Sequence, residues 1–208
     1  WRGSLVASVL GALPVAIVVV QLVAGGSGGQ VTGDDGELVT FTWEAGYEDG
    51  AGRSLADDPA VVALLPAEHA EEVTAPMVFQ ETAESGRVLR IPEGAGKPPA
   101  DREPKLADGG ARFSLPDGLE ADSAYTVWLR VRWDDGCGNS VYVSLPNSPL
   151  VAAGNDGLYG RWHWVKVPGT LDMAPGATEK TLLNREDGVA ISHVLFAADP
   201  KYVPQGAP

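Results

Sequence analysis

The stretch YTVWLRVRW, residues 125–133, decides the fold of most of this chain. Two kinds of side chain alternate along it, Val127, Leu129 and Val131 against Trp128, Arg130 and Arg132. Successive side chains of a β-strand point to opposite faces, so this alternation predicts a strand with one apolar face and one mixed face. The apolar face needs a second apolar layer to cover it. We therefore predict a two-layered β domain built around this segment.

Similar short segments recur on both sides of it at roughly ten-residue spacing, which is typical of a sandwich. The predicted strands are residues 39–43, 111–115, 125–133, 140–145, 162–167, 178–184 and 191–197. Pro59 predicts the start of a short helix over residues 61–65. The chain has 26 Gly and 16 Pro, which suits many strands joined by turns. Residues 39–208 are predicted to form a jelly-roll β-sandwich head.

The N-terminal segment SLVASVLGALPVAIVVVQLVA, residues 4–24, has a different character. No Asp, Glu, Lys or Arg occurs between residues 3 and 33. A helix of about 20 residues would be about 30 Å long, the thickness of a bilayer core. We predict an apolar helix over residues 1–24, and a Gly-rich hinge over residues 25–38. The overall fold class is thus mainly β, with an N-terminal helix before the head.

A strand is the alternative for part of this segment, because Val15, Ile17, Val18, Val19 and Val20 are β-branched. Residues 15–23 would then be donated to the sheet of the next subunit, as in a strand-exchange fibre.

Trp1 and the apolar run from Leu5 resemble the N-terminus of a mature type IV pilin. Many bacterial pilins have Glu at their fifth residue, where this chain has Leu5, while archaeal pilins often lack it. The resemblance implies an extracellular or cell-surface filament of identical subunits, inserted in the membrane before assembly. Its core would be a bundle of apolar helices, which bury Leu5, Val6, Val9, Leu10, Leu13, Ile17, Val18, Val20 and Leu22.

Composition and motifs exclude several other classes. The formal net charge of −13 argues against nucleic acid as a partner, because phosphates require a basic surface. A single cysteine, Cys137, excludes an intrachain disulfide framework. The three histidines are far apart, and neither a nucleophile elbow nor a phosphate-binding loop occurs. We expect no enzyme activity and no cofactor.

A second resemblance covers nearly the whole head. It rests on the order of WEA (43–45), the turn at 83–86, YTVWLRV (125–131), NSVYVS (139–144), WHW (162–164), LLNREDG (182–188), residues 191–196 and DPKYVP (199–204). This succession resembles the β-sandwich carbohydrate-binding modules of families 6 and 35. It implies a polysaccharide partner. A membrane-anchored carbohydrate-binding module is therefore the alternative to the filament subunit.

The same resemblance defines the candidate glycan and metal residues. Trp162 and Trp164 lie two apart on one predicted strand and share a face. They stack on sugar rings if that face is exposed, and they form core if it is not. Trp128 is a third candidate glycan contact. Modules of this kind hold a structural calcium with an early Glu-x-Glu and a late Asp. Glu44 matches, but Gly46 and Ser192 replace the other ligands. We expect no metal, with Glu44 and Glu48 as the remaining candidates.

Overall fold

A computed structural model describes residues 5–7, 18–22, 28–32, 38–42, 54–174 and 177–205. The chain divides into two compact units, Trp1–Gly46 and Tyr47–Pro208. The first unit contains one antiparallel sheet, in which each strand pairs with the next along the chain. Its strands are β1 (Leu5–Ala7), β2 (Val18–Leu22), β3 (Gly28–Thr32) and β4 (Leu38–Thr42).

These strands overturn the predicted N-terminal helix, because the described parts of residues 1–24 are extended. Three consecutive valines begin β2, and β-branched side chains favour extended backbone. Pro14 removes a helical hydrogen bond in the same run. Length was therefore a poor guide to this segment. None of the helices in the described residues is long and apolar enough to cross a membrane.

Some of the predicted assembly residues lie in these strands, and the others lie outside the residues that the structure describes. Leu5 and Val6 lie in β1, and Val18, Val20 and Leu22 lie in β2. Val9, Leu10, Leu13 and Ile17 lie outside the described residues. Strand β2 pairs with β1 on one side and with β3 on the other. Within its own chain, β2 thus pairs through Val18–Val20 on one edge and through Val20–Leu22 on the other, and donation of residues 15–23 to another subunit stays a prediction.

The second unit is the β-rich head. Its strands are β5 (Val61–Pro66), β6 (Glu72–Thr74), β7 (Val78–Thr82), β8 (Gly86–Ile91), β9 (Gly110–Ser114), β10 (Ala124–Trp133), β11 (Ser140–Ser144), β12 (Val151–Gly154), β13 (His163–Lys166), β14 (Leu171–Asp172), β15 (Glu179–Leu183) and β16 (Val189–Ala197). Short 3-10 helices occur at Leu55–Asp57, Ala67–His69 and Leu106–Asp108.

Two antiparallel sheets make up the head. The seven-stranded sheet has the order β13-β10-β16-β8-β7, with β14 added beside β10 and β5 beside β16. The five-stranded sheet has the order β12-β11-β15-β9-β6. This architecture confirms the predicted β-sandwich.

Strand β10, which contains the alternating residues 125–133, is central to the seven-stranded sheet, since it pairs with β16 and with β13. Val127, Leu129 and Val131 are only 0–1% exposed. They pack in one core cluster with residues of the other sheet. That second layer is provided by Ala111, Phe113, Val141, Val143 and Leu182. The alternating pattern thus encodes the face between the sheets.

Residues 61–65 correct a second prediction. They form strand β5 rather than a helix, and β5 pairs with β16 along the edge of the seven-stranded sheet. The run VVALL begins with two β-branched residues, and its apolar composition matches a partly buried strand as well as a helix. Pairing with β16 decides between the two.

Candidate functional site

Trp162 was predicted as a glycan contact, but its ring is covered by the protein. Only 3% of the residue is exposed, and it packs with Val88 and Ala190. The guanidinium carbon of Arg130 lies 5.1 Å from the centroid of the indole ring. Arg130 in turn donates hydrogen bonds to the hydroxyls of Ser85, at 2.8 Å, and Ser192, at 3.3 Å. This buried network leaves little of the indole for a sugar.

Trp128 and Trp164 belong to a second cluster, separate from the main core. Trp128 is 8% exposed and packs with Leu55 and Leu195, and the half-buried Trp164 packs against this group. Trp133, five positions after Trp128, lies in the main core. The two tryptophans therefore lie on opposite faces of β10.

The implied calcium site does not fit the residues present. Ser192 stands where such modules have an Asp, and its hydroxyl accepts a hydrogen bond from Arg130. A guanidinium beside the hydroxyl would repel a divalent cation. Glu44 and Glu48 lie outside the described residues. Within the residues that the structure describes, no group of three or more His, Cys, Asp or Glu is placed to hold a metal.

The outer face of the five-stranded sheet presents an aromatic ring that the sequence analysis missed. Along β11, Val141 and Val143 are fully buried, while Ser140, Tyr142 and Ser144 alternate with them and point away from the core. Tyr142 is half-buried and lies beside Arg185, whose guanidinium carbon is 5.6 Å from the tyrosine ring centroid. Arg185 follows the end of β15, which pairs with β11.

This ring lies in a cleft of about 330 Å³, which we call the Tyr142 cleft. Residues from the loop after β8 form one wall, and residues from β11 and from the loop after β15 complete it. The lining consists of Lys97, Pro98, Pro99, Ala100, Arg102, Pro104, Tyr142, Arg185 and Glu186. A volume in this range is typical of small-ligand sites, whose linings combine apolar and aromatic side chains with a few polar groups.

A hydrogen-bond network fixes the polar side of the cleft. One carboxylate oxygen of Glu186 lies 2.8 Å from Arg185 Nη1 and 3.7 Å from Lys97 Nζ. The other accepts a hydrogen bond from the backbone N–H of Asn139, at 3.2 Å, and one from the hydroxyl of Ser140. The Ser140 hydroxyl also accepts from Arg185. The side chains of Arg185 and Glu186 are therefore oriented before any ligand arrives.

The proline-rich wall is held by a second ion pair. Arg102 donates to both carboxylate oxygens of Asp108, at 2.6 Å and 2.5 Å, and the backbone N–H of Lys105 donates to Asp108 at 2.8 Å. The hydrogen bond from Arg102, followed by that from Lys105, lowers the pKa of Asp108 to about 2. Asp108 thus stays ionised and anchors the loop that faces Tyr142.

A second cleft of about 380 Å³ opens at the other end of β11 and β15. Hydroxyl, amide and carboxylate groups dominate its lining, from Ser144, Asn147, Thr178, Glu179 and Thr181. Ser144 and Thr181 face each other across the two strands. Each cleft therefore includes an outward residue of β11, Tyr142 in one and Ser144 in the other.

Comparisons with known proteins give similarities of fold. No protein-family model matches the chain, and no curated protein matches its sequence. A family 6 carbohydrate-binding module of Cellvibrio mixtus lichenase 5A, solved with cellotriose, is 14% identical with a TM-score of 0.46, over 67% of this chain and 98% of that one. A family 6 module of Clostridium stercorarium, solved with cellobiose, is 16% identical with a TM-score of 0.45, over 66% and 94%.

The mosquito-larvicidal Cry4Aa toxin of Bacillus thuringiensis has a comparable similarity. It is 11% identical with a TM-score of 0.47, over 66% of this chain and 23% of the toxin. At these identities the similarities concern the fold alone and name no ligand for this chain.

Proposed function

We propose that the head is a non-catalytic, jelly-roll carbohydrate-binding module that holds a polysaccharide in the Tyr142 cleft. The observation that carries the proposal is the half-buried ring of Tyr142 beside the oriented pair Arg185 and Glu186. Sugar rings present flat C–H faces that pack on an aromatic side chain, while their hydroxyls need donors and acceptors at the rim. The cleft supplies all three.

The arrangement suits binding rather than bond cleavage. Among the residues that the structure describes, Glu186 is the one carboxylate that lines the cleft, and its oxygens already accept from Asn139, Ser140 and Arg185. Glycoside hydrolysis ordinarily requires a pair of carboxyl groups that flank the scissile bond. A polysaccharide partner also suits an extracellular or cell-surface location, which we propose together with the binding function. A pilin-type filament would require an N-terminal helix, and the described parts of residues 1–24 are strands instead.

The experiment is affinity electrophoresis of the full chain through gels that contain soluble xylan, β-glucan, dextran or an acidic polysaccharide. Tyr142→Ala should lower the affinity for the retarding polysaccharide by about twofold to twelvefold, because a stacked ring is worth about 0.5–1.5 kcal/mol. Tyr159→Ala is the matched control, since Tyr159 is 43% exposed and does not line the cleft. Equal retardation of the wild type and Tyr142→Ala would contradict the proposal.

A further inference from the structure

The charges of the Tyr142 cleft differ from those of the rest of the chain. Within the described part of the chain, Lys97, Arg102 and Arg185 line it, with Glu186 as the one acidic lining residue. Arg102 is paired with Asp108 in the wall, so Lys97 and Arg185 together face the single carboxylate of Glu186 in the part of the cleft that the structure describes. The whole chain has 28 acidic and 15 basic residues. A cleft for a neutral sugar would not require this local excess of positive charge.

Arg185 has donors to spare. Its contacts with Ser140 and Glu186 both use Nη1, which leaves Nε and Nη2 without a hydrogen bond to any residue the structure describes. Its side chain is 27% exposed and lies against the Tyr142 ring. A guanidinium presents its donors in a planar fork that matches the two oxygens of a carboxylate or sulfate. The free side of this fork is the natural place for an anionic group.

Lys97 supplies a second, more mobile charge. Its side chain is 61% exposed, and its ion pair with Glu186 is long, at 3.7 Å. An ammonium has three donors, so it can contact a ligand without leaving Glu186. Arg102 plays a different part, because both of its terminal nitrogens are bound to Asp108. It therefore holds the wall of the cleft and adds to the local field.

Glu186 does not block an anion. The side chain is only 13% exposed, and its two oxygens face Arg185, Lys97, Ser140 and the backbone of Asn139. Its charge is thus compensated within the network, and the outer donors of Arg185 and Lys97 remain for a ligand.

We propose that the Tyr142 cleft selects an acidic polysaccharide, whose sugar ring stacks on Tyr142 while its carboxylate or sulfate contacts Arg185 and Lys97. This inference rests on the proposed function, and it names the ligand class of the same site.

The test compares polymers that share a backbone and differ in charge. The full chain is titrated calorimetrically with dextran and dextran sulfate, and with methyl-esterified polygalacturonate and polygalacturonate. We expect an acidic polymer to bind at least about tenfold more tightly than its neutral partner, with an affinity that falls as NaCl rises from about 0.05 M to about 0.5 M. Preference for sulfate or for carboxylate identifies the anionic group.

Variants separate the cleft from a general attraction to polyanions. Lys97→Gln should weaken binding of the acidic polymer by about threefold to fivefold. Arg185→Lys should weaken it by about tenfold or more although the charge is kept, because the fork is lost. Lys201→Gln is the charge-matched control, since Lys201 is exposed in the C-terminal segment and does not line the cleft. It should bind like the wild type.

The possible failures are distinct. Tyr142-dependent binding of neutral and acidic polymers with equal affinity, unchanged in Lys97→Gln and Arg185→Lys, overturns the inference and leaves the proposed function standing. Equal losses in Lys97→Gln and Lys201→Gln overturn it as well, since binding then follows total charge. Absence of binding to every polymer overturns both.

Discussion

Lys180 is a lysine inside the core, and its replacement by methionine should stabilise the head. The residue is 1% exposed, and its Nζ has no hydrogen-bond partner among the described residues. It lies 4.9 Å from the ring centroid of Phe113 and 4.5 Å from that of Phe196, between the two sheets. Methionine has a similar length and no charge, so it fills the same space without a buried ammonium.

The size of the effect follows from the pKa. Burial lowers the pKa of Lys180 from 10.5 to about 7. Such a shift means that the folded head disfavours the charged amine by about 4–5 kcal/mol relative to the unfolded chain. We therefore expect Lys180→Met to raise the free energy of unfolding at neutral pH by up to about 4–5 kcal/mol, a large share of the 5–15 kcal/mol typical of a domain.

The sign of the pH dependence is fixed by the same shift. Above pH 10.5 the amine is neutral in both states, and the penalty vanishes. Between that value and about pH 7 the unfolded chain holds the proton and the folded head does not, so stability falls by up to about 1.4 kcal/mol per pH unit as the pH drops. Below about pH 7 both states are protonated, and the penalty stays constant.

Urea unfolding followed by tryptophan fluorescence measures the free energy of unfolding at each pH, because Trp133 is fully buried in the folded head. The stability gain of Lys180→Met over the wild type should be constant below about pH 7 and should shrink steadily towards about pH 9. Lys201→Met makes the same chemical change at an exposed site, and it should change little at any pH. A gain that does not vary between these pH values, or a loss of stability at neutral pH, would refute the reasoning.

Two further predictions concern the loops. Gly138→Ala should cost about 1–3 kcal/mol in thermal unfolding, because overpacking has this magnitude; the added Cβ would lie 1.9 Å from the carbonyl oxygen of Asp187. Gly136→Ala, whose Cβ would meet nothing nearer than 3.4 Å, should be almost neutral, and equal effects would contradict the packing. Asp108→Asn should speed hydrogen exchange of the Lys105 amide at neutral pH, since it weakens the anchor of the proline-rich wall. In the wild type the pKa of Asp108 is lowered from 3.8 to about 2. The ionised carboxylate therefore stabilises the wall at any pH above 3.8, and this contribution is lost only as the pH falls towards 2. Exchange of the Lys105 amide, corrected for its intrinsic rate, should rise only in that acidic range. Unchanged protection in Asp108→Asn would contradict the assigned role.

The alternation of apolar and polar side chains was the sequence signal that predicted a strand correctly. The pattern over residues 125–133 predicts β10 within one residue of its observed start, because a half-buried strand has to alternate. Runs without alternation failed. Residues 61–65 and the segment around Val18–Val20 are apolar throughout, and only their pairing with other strands decides that they are extended.

The candidate site was harder to predict, because it is assembled by tertiary contacts. Tyr142, Arg185 and Lys97 come from three separate parts of the sequence, and the antiparallel pairing of β11 and β15 helps to bring them together. The outward position of Tyr142 between two buried valines was a readable signal. Nothing in the sequence indicated that Arg130 would cover Trp162, since stacking across neighbouring strands depends on the register of the sheet.

The enclosure of Trp162 and Trp128 also has a spectroscopic consequence. Indole emission responds to changes in its immediate surroundings, and the two rings are only 3% and 8% exposed. Saturating the cleft with sugar should therefore leave the emission of these two rings unchanged, even though denaturation shifts it strongly. Heat or gel mobility is for that reason a better signal of binding than the fluorescence of these two tryptophans.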